Sequence, residues 1–224
     1  MKNEAENIAN RLMSLTSFEP GFRDTIEEQR KKIQSSQLLK DCGLPKRHSQ
    51  PIIPHGEKWL EAETKLKAKI GTGFIIALCG QRGTGKTQLA ASLAKECAIQ
   101  NRSSKYITAM EFFLDIKESF RPDSQSNEKE VIANFARPKL LIIDETQERG
   151  ETKWEDGLLT HLVDRRYRDE KDTLLISNQN KESFVESIGP SIASRIIETG
   201  GIILCNWPSF RNGPPNQNHR LINV

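Results

Sequence analysis

Aromatic side chains, paired cysteines and long apolar runs are all scarce in this chain, and each scarcity excludes something. Aromatics make up 6% and hydrophobic residues 36% of the 224 residues, low for a globular protein, so part of the chain must lie outside a core. The length suits one domain with about forty residues left for an arm, and a second full domain is not expected. The four cysteines, Cys42, Cys79, Cys97 and Cys205, are far apart and form no C-x-x-C pair. Neither a zinc site nor a disulfide framework is indicated, and Cys79 and Cys205, inside apolar runs, read as buried thiols. No stretch approaches the roughly 18 consecutive apolar residues of a membrane span, and the polar N-terminus MKNEAENIAN lacks a signal-peptide core. A cytoplasmic protein without membrane contact is expected. Nor is there a large excess of charge: +3, with a pI near 8.6, permits contact with nucleic acid without requiring it.

What is present is a punctuated pattern without internal repeats. Residues 3–15 place Ala5, Ile8, Leu12 and Leu15 on one helical face until Pro20 and Gly21 break it. Residues 22–42 continue as a charged helix with a thin stripe of Ile26, Ile33, Leu38 and Leu39, suited either to docking on a partner or to loose packing on its own domain. Residues 1–42 are therefore expected as a short helical N-terminal arm. Residues 43–56 carry three prolines and no helical period, which predicts an extended linker. Trp59, Leu66 and Ile70 then mark a helix ended by Gly71 and Gly73. Apolar runs at 74–79, 105–108, 140–144, 173–177 and 201–205 alternate with helical segments, predicting an α/β fold with five parallel strands and helices on both faces. The expected core is 57–206, and the asparagine- and proline-rich residues 207–224 read as a tail.

Within that core, Gly80-Gln-Arg-Gly-Thr-Gly-Lys-Thr87 follows an apolar strand and opens the helix LAASLAKECA, the context of a phosphate-binding loop. Glycines let backbone N–H groups wrap closely around phosphates, and the new helix adds its positive end. The expected nucleotide contacts are Gly80, Gly83, Thr84, Gly85, Lys86, Thr87 and Gln88. Lys86 is suited to reach the β- and γ-phosphates of ATP, and the Thr87 hydroxyl to ligate Mg²⁺. A second run, Leu140-Leu-Ile-Ile-Asp-Glu145, ends in two carboxylates at a strand end, where ligands of an open α/β sheet collect. Asp144 is expected to hold Mg²⁺ and Glu145 to polarise an attacking water, which favours hydrolysis over small-molecule phosphotransfer. Asn178, after the run at 173–177, either caps a turn or contacts the γ-phosphate or the water; the two other motifs favour the second role.

These residues resemble AAA+ ATPases of the DnaC/IstB type, the helicase loaders and transposition helper ATPases of bacteria and phages. The resemblance covers residues 43–211. It rests on GQRGTGKT, on LLIIDE, on His161-Leu-Val-Asp-Arg-Arg166 followed by LLISNQN, and on Cys205-Asn-Trp-Pro-Ser-Phe-Arg211. The last two look closest to the helicase-loader branch. The resemblance implies a P-loop fold of the additional-strand type with sheet order 5-1-4-3-2, Asn178 as first sensor, and ATP-dependent self-association through the nucleotide sites. It also implies an arginine supplied to a neighbour's ATP, by position Arg195, whose alternative reading is an ordinary surface charge. Arg165 and Arg166 match the family pattern on a helix whose Leu158, Leu159 and Leu162 pack inward, and their role could be structural.

The resemblance further implies partners. Loaders contact single-stranded DNA through the segment that here is 109–121, where Lys117 and Arg121 supply charge and Phe112, Phe113 and Phe120 could stack on bases. Phe112, Ile116 and Phe120 recur every fourth residue, however, which favours core packing. The arm is where loaders hold a replicative helicase of the DnaB type. The expected function is ATP-dependent placement of such a helicase on single-stranded DNA. The alternatives are a transposition helper that binds duplex DNA and recruits a transposase, and, disfavoured, a small-molecule P-loop kinase. Two departures matter. Thr146-Gln147 stands where family members often have a glycine two residues after the Walker-B glutamate. About twenty residues follow the last strand, so neither a helical C-terminal lid nor a lid-borne sensor arginine is expected.

Overall fold

The five apolar runs form the strands β1 Ile75–Cys79, β2 Ser104–Thr108, β3 Leu140–Asp144, β4 Asp172–Ser177 and β5 Gly201–Leu204. A computed structural model describes residues 20–49, 56–124, 126–150 and 152–212. All five strands pair in parallel in the order β2-β3-β4-β1-β5, the expected order read from the other edge. Every residue of the central strands β1, β3 and β4 is buried, as parallel strands covered on both faces require. Alternate side chains enter two separate cores, Ala77, Ile143 and Leu175 on one face, Leu78, Ile142 and Leu174 on the other. The first core is closed by α5 Ala109–Glu118, α6 Glu128–Ala136, α7 Lys153–Arg168, α8 Lys181–Ile188 and α9 Pro190–Thr199. The second is closed by α3 Glu57–Ala68, α4 Lys86–Ile99 and the end of α1 Pro20–Asp41. Two of these helix starts are written locally, as capping boxes that pair Thr108 with Glu111 and Asn127 with Glu130.

Arg166 has the structural role left open by the sequence. Its side chain is completely buried, and its guanidinium donates to the carbonyls of Phe135 (3.1 Å), Pro138 (2.9 Å) and Asp172 (2.6 Å) and to Thr173 Oγ1 (2.9 Å). It thereby ties α6, α7 and the loop before β3 to the start of β4. Burial lowers its pKa to about 10, against the opposing pull of Asp172 and Asp169.

Three expectations are corrected. The first concerns 43–56, which is not extended throughout: Lys46–Ser49 forms a helical turn, α2, that Pro45 precedes and whose His48 N–H donates to the Pro45 carbonyl at 2.8 Å. The chain just before it is core, since Cys42 is fully buried and its carbonyl accepts from Tyr106 N–H at 2.7 Å. Gly43, with φ +80°, turns the chain there, and a Cβ would lie 3.3 Å from the Tyr106 carbonyl. Removing residues 1–42 therefore takes out part of the second core. The second correction concerns 207–224, whose first six residues fold onto the domain, with Trp207 and Phe210 packed on the second core. The third concerns Phe120, which is 56% exposed while Phe112 and Ile116 are buried, because α5 ends at Glu118 and the four-residue period stops with it. The helix expected at 3–15 lies outside the described residues.

Candidate nucleotide site

At the C-terminal end of β1 the chain must leave a strand, wrap an anion-sized space and enter α4 within a few residues. Gly80 makes the first turn with φ +145°, and a Cβ on it would lie 2.5 Å from the carbonyl oxygen of Cys205, which extends β5 alongside. A side chain there would push the neighbouring strand away. Lys86 opens α4 and is 5% exposed, and its ammonium donates to the carbonyls of Gly80 (2.6 Å) and Gln81 (2.8 Å), spanning the loop. Burial is the main cause that lowers its pKa, and nearby Cys205 and Asp144 oppose it. Thr84 is buried and donates through Oγ1 to the Gln81 carbonyl (2.9 Å), and Gln88 follows Thr87 in the first turn of α4.

Asp144 ends β3 beside this helix start. Its Oδ2 accepts from Thr87 Oγ1 and from the Tyr106 hydroxyl, each at 2.9 Å, and its Oδ1 accepts from Glu145 N–H at 2.8 Å. The Thr87 hydroxyl and the Asp144 carboxylate thus form a pair of hard oxygen donors next to the phosphate loop, a donor set that fits Mg²⁺. Mg²⁺ held there would neutralise charge developing on the phosphates. Glu145 adopts φ +54°, a left-handed conformation rare for a non-glycine residue, and its carboxylate is exposed. Its pKa is raised, chiefly by desolvation and then by Asp144 and Glu148, with Arg82 opposing. Asn178 follows the end of β4, and its main-chain N–H donates to Gln147 Oε1 at 3.0 Å.

The structure therefore brings Lys86, Thr87 and Asp144 together and sets Glu145 and Asn178 at neighbouring strand ends. Arg195 is held elsewhere in its own chain. It pairs with Asp164 (3.0 Å), donates to the Ser191 carbonyl and hydroxyl (2.7 Å each) and lies 5.3 Å from the Tyr167 ring centre. All of these partners are on α7 and α9. Lys117 pairs with Glu155 (3.7 Å) and lies over the Trp154 ring, while Arg121 pairs with Glu118 (3.5 Å).

Sequence reasoning missed the outer support of the loop. Carbonyls of three consecutive loop residues are engaged by distant donors: Gly83 by Phe210 N–H (2.9 Å), Thr84 by the Trp207 indole (2.7 Å) and Gly85 by the Trp59 indole (3.4 Å). A trans peptide points its N–H opposite to its C=O, so tying these carbonyls also fixes the direction of the N–H groups that follow them, the groups an anion would need. The tryptophans of this support could have been suspected, since a buried indole N–H requires an acceptor, but nothing local names the acceptor.

The family described as IstB-like ATP binding protein matches residues 68–198, more than half of the chain and including every motif of this site. The chain belongs to this family. Among individual relatives, the replicative helicase loader DnaC of Escherichia coli K12 is 29% identical over 140 residues, 62% of this chain and 56% of that relative. This match thus spans little more than half of the DnaC length. An uncharacterised protein of the same organism, YdaV, is 26% identical over 197 residues, 84% of this chain and 79% of its own. In fold, a crystal structure of the DnaC helicase loader superposes with a TM-score of 0.61 at 16% identity, covering 71% of this chain and 99% of the other. The fold is that of a P-loop AAA+ ATPase. Among the described residues, no helix is long and apolar enough to cross a membrane.

Proposed function

We propose that this chain is an ATPase of the helicase-loader branch, which binds a DnaB-type replicative helicase in the cytoplasm and assists its placement on single-stranded DNA. One observation carries the ATPase reading: the Thr87–Asp144 pair stands beside the phosphate loop with the exposed Glu145 carboxylate directly after it. Glu145 accepts the proton of the water that attacks the γ-phosphate, and Asn178 senses or orients that water. Only ionised Glu145 can act so. Because its pKa is raised above the ordinary 4.5, turnover should fall as pH drops through a point above that value. Glu145→Gln should bind ATP normally, hydrolyse it about 10²-fold more slowly and lose this acid limb. Wild-type turnover in that variant would sink the assignment.

Support for the loader branch comes from the similarity to DnaC and from two surfaces. Phe120 and Trp154 are exposed rings 6.1 Å apart, flanked by Lys117 and Arg121, which suits stacking and charge contact with single-stranded DNA. On the arm, Ile33 is 70% exposed while Leu39 packs on the second core, so the helix can anchor at one end and present the other to a helicase. Arg195 serves the ATP of a neighbouring subunit after exchanging its Asp164 contact. Hydrolysis should then rise when subunits assemble with helicase and single-stranded DNA, and Arg195→Ala should lose that rise. Lys86→Ala subunits, empty but with Arg195 intact, should restore it in mixtures. Mixtures as inactive as either variant alone would show that Arg195 does not act in trans.

A further inference from the structure

Glu145 sits in a strained conformation, so something must hold the turn that carries it. That turn is the short 3-10 helix Thr146–Glu148. Thr146 is buried, donates through Oγ1 to the Ile176 carbonyl of β4 (3.1 Å), and its own carbonyl accepts from the buried Arg149 guanidinium (3.0 Å). Arg149 is fixed in turn by Asp156 (3.2 Å) and the Ser187 carbonyl. These contacts secure the base of the turn. Its tip is held by Gln147, whose Oε1 accepts the Asn178 main-chain N–H (3.0 Å) and whose Nε2 donates to Glu148 Oε1 (3.2 Å). The same Glu148 oxygen accepts from Arg82 of the phosphate loop at 2.9 Å. A path of hydrogen bonds thus runs from the end of β4, through the turn after β3, to the phosphate loop.

We propose that Gln147 is a positioning residue for hydrolysis. Its side-chain amide fixes the spacing between Glu145 and Asn178 and links both to the loop that holds the phosphates. A glycine at this position would offer no side chain to do this. The link between Gln147 and Glu148 is a neutral donor on a carboxylate, and Arg82 and Glu148 are both largely exposed, so the path contributes little to stability. Its contribution is geometric. A reacting carboxylate displaced by a fraction of an ångström loses rate without losing substrate affinity.

The proposal rests on the ATPase reading and is tested beside it. Gln147→Met keeps an unbranched side chain of similar length and removes both hydrogen bonds. Expected are single-turnover hydrolysis about tenfold slower, affinity for a fluorescent ATP analogue within about twofold of wild type, an unchanged melting temperature, and faster hydrogen exchange of the Asn178 amide. Unchanged hydrolysis in Gln147→Met, with wild type active, overturns the proposal and leaves the ATPase reading standing. Parallel losses of affinity, rate and melting temperature also overturn it, since they describe a structural residue. Absence of hydrolysis by wild type itself overturns both readings.

Discussion

Lys86→Ala is expected to lose binding of a fluorescent ATP analogue by roughly 10²- to 10⁴-fold. Lys86 is 5% exposed and its ammonium donates to the Gly80 and Gln81 carbonyls, so it lies across the loop proposed to receive the phosphates. A charge-assisted hydrogen bond contributes about 1.5–3 kcal/mol, and contacts to two phosphates would be lost together, about 3–6 kcal/mol. Collapse of the loop is not expected to add to this, since its other carbonyls remain held by Trp59, Trp207 and Phe210. Arg82→Ala is the fitting comparison: Arg82 is in the same loop but exposed and paired with Glu148, and its loss should cost far less. Equal affinities for wild type and Lys86→Ala would remove the nucleotide site as described.

The second large effect is on stability. Arg166→Met should lower the melting temperature by about 10 °C or more, or prevent folding. Methionine nearly fills the volume, but it leaves the carbonyls of Phe135, Pro138 and Asp172 without their buried donor. Each unsatisfied group costs about 1–3 kcal/mol, and a native domain has only about 5–15 kcal/mol in hand. Arg165→Met, one residue away on α7 and only half-buried, should shift the transition little. Similar melting curves for the two variants would show that the buried guanidinium does not hold these elements together.

Residues that lie close along the chain and obey a short rule are legible from the amino-acid order. GQRGTGKT after an apolar strand and LLIIDE ending in two carboxylates place Lys86, Thr87, Asp144 and Glu145, because strand, turn and helix follow one another within about ten residues and each demands its own residue types. The five strands and their order are likewise accessible, the order through the family resemblance. The limits of the local rules are visible in particular residues. Phe120 continues the four-residue spacing of Phe112 and Ile116, but the helix ends at Glu118 and leaves the ring exposed. Cys42 follows the charged residues of the arm, yet it is sealed against the core by a hydrogen bond to Tyr106.

Amino-acid order alone was thus enough for the fold class, the family and the four residues at the centre of the candidate site, since periodicity and glycine spacing act over one or two turns of chain. Only the tertiary structure decided what holds that site in shape. Trp207 reaches Thr84 across 123 residues of chain, and Gln147 meets Asn178 across 31. Such partners are chosen by the parallel sheet, which gathers the ends of β1, β3, β4 and β5 at one edge and lets each loop find acceptors on the others. No local pattern encodes that choice, because a buried donor specifies only that it must be satisfied and leaves the identity of the acceptor to the fold.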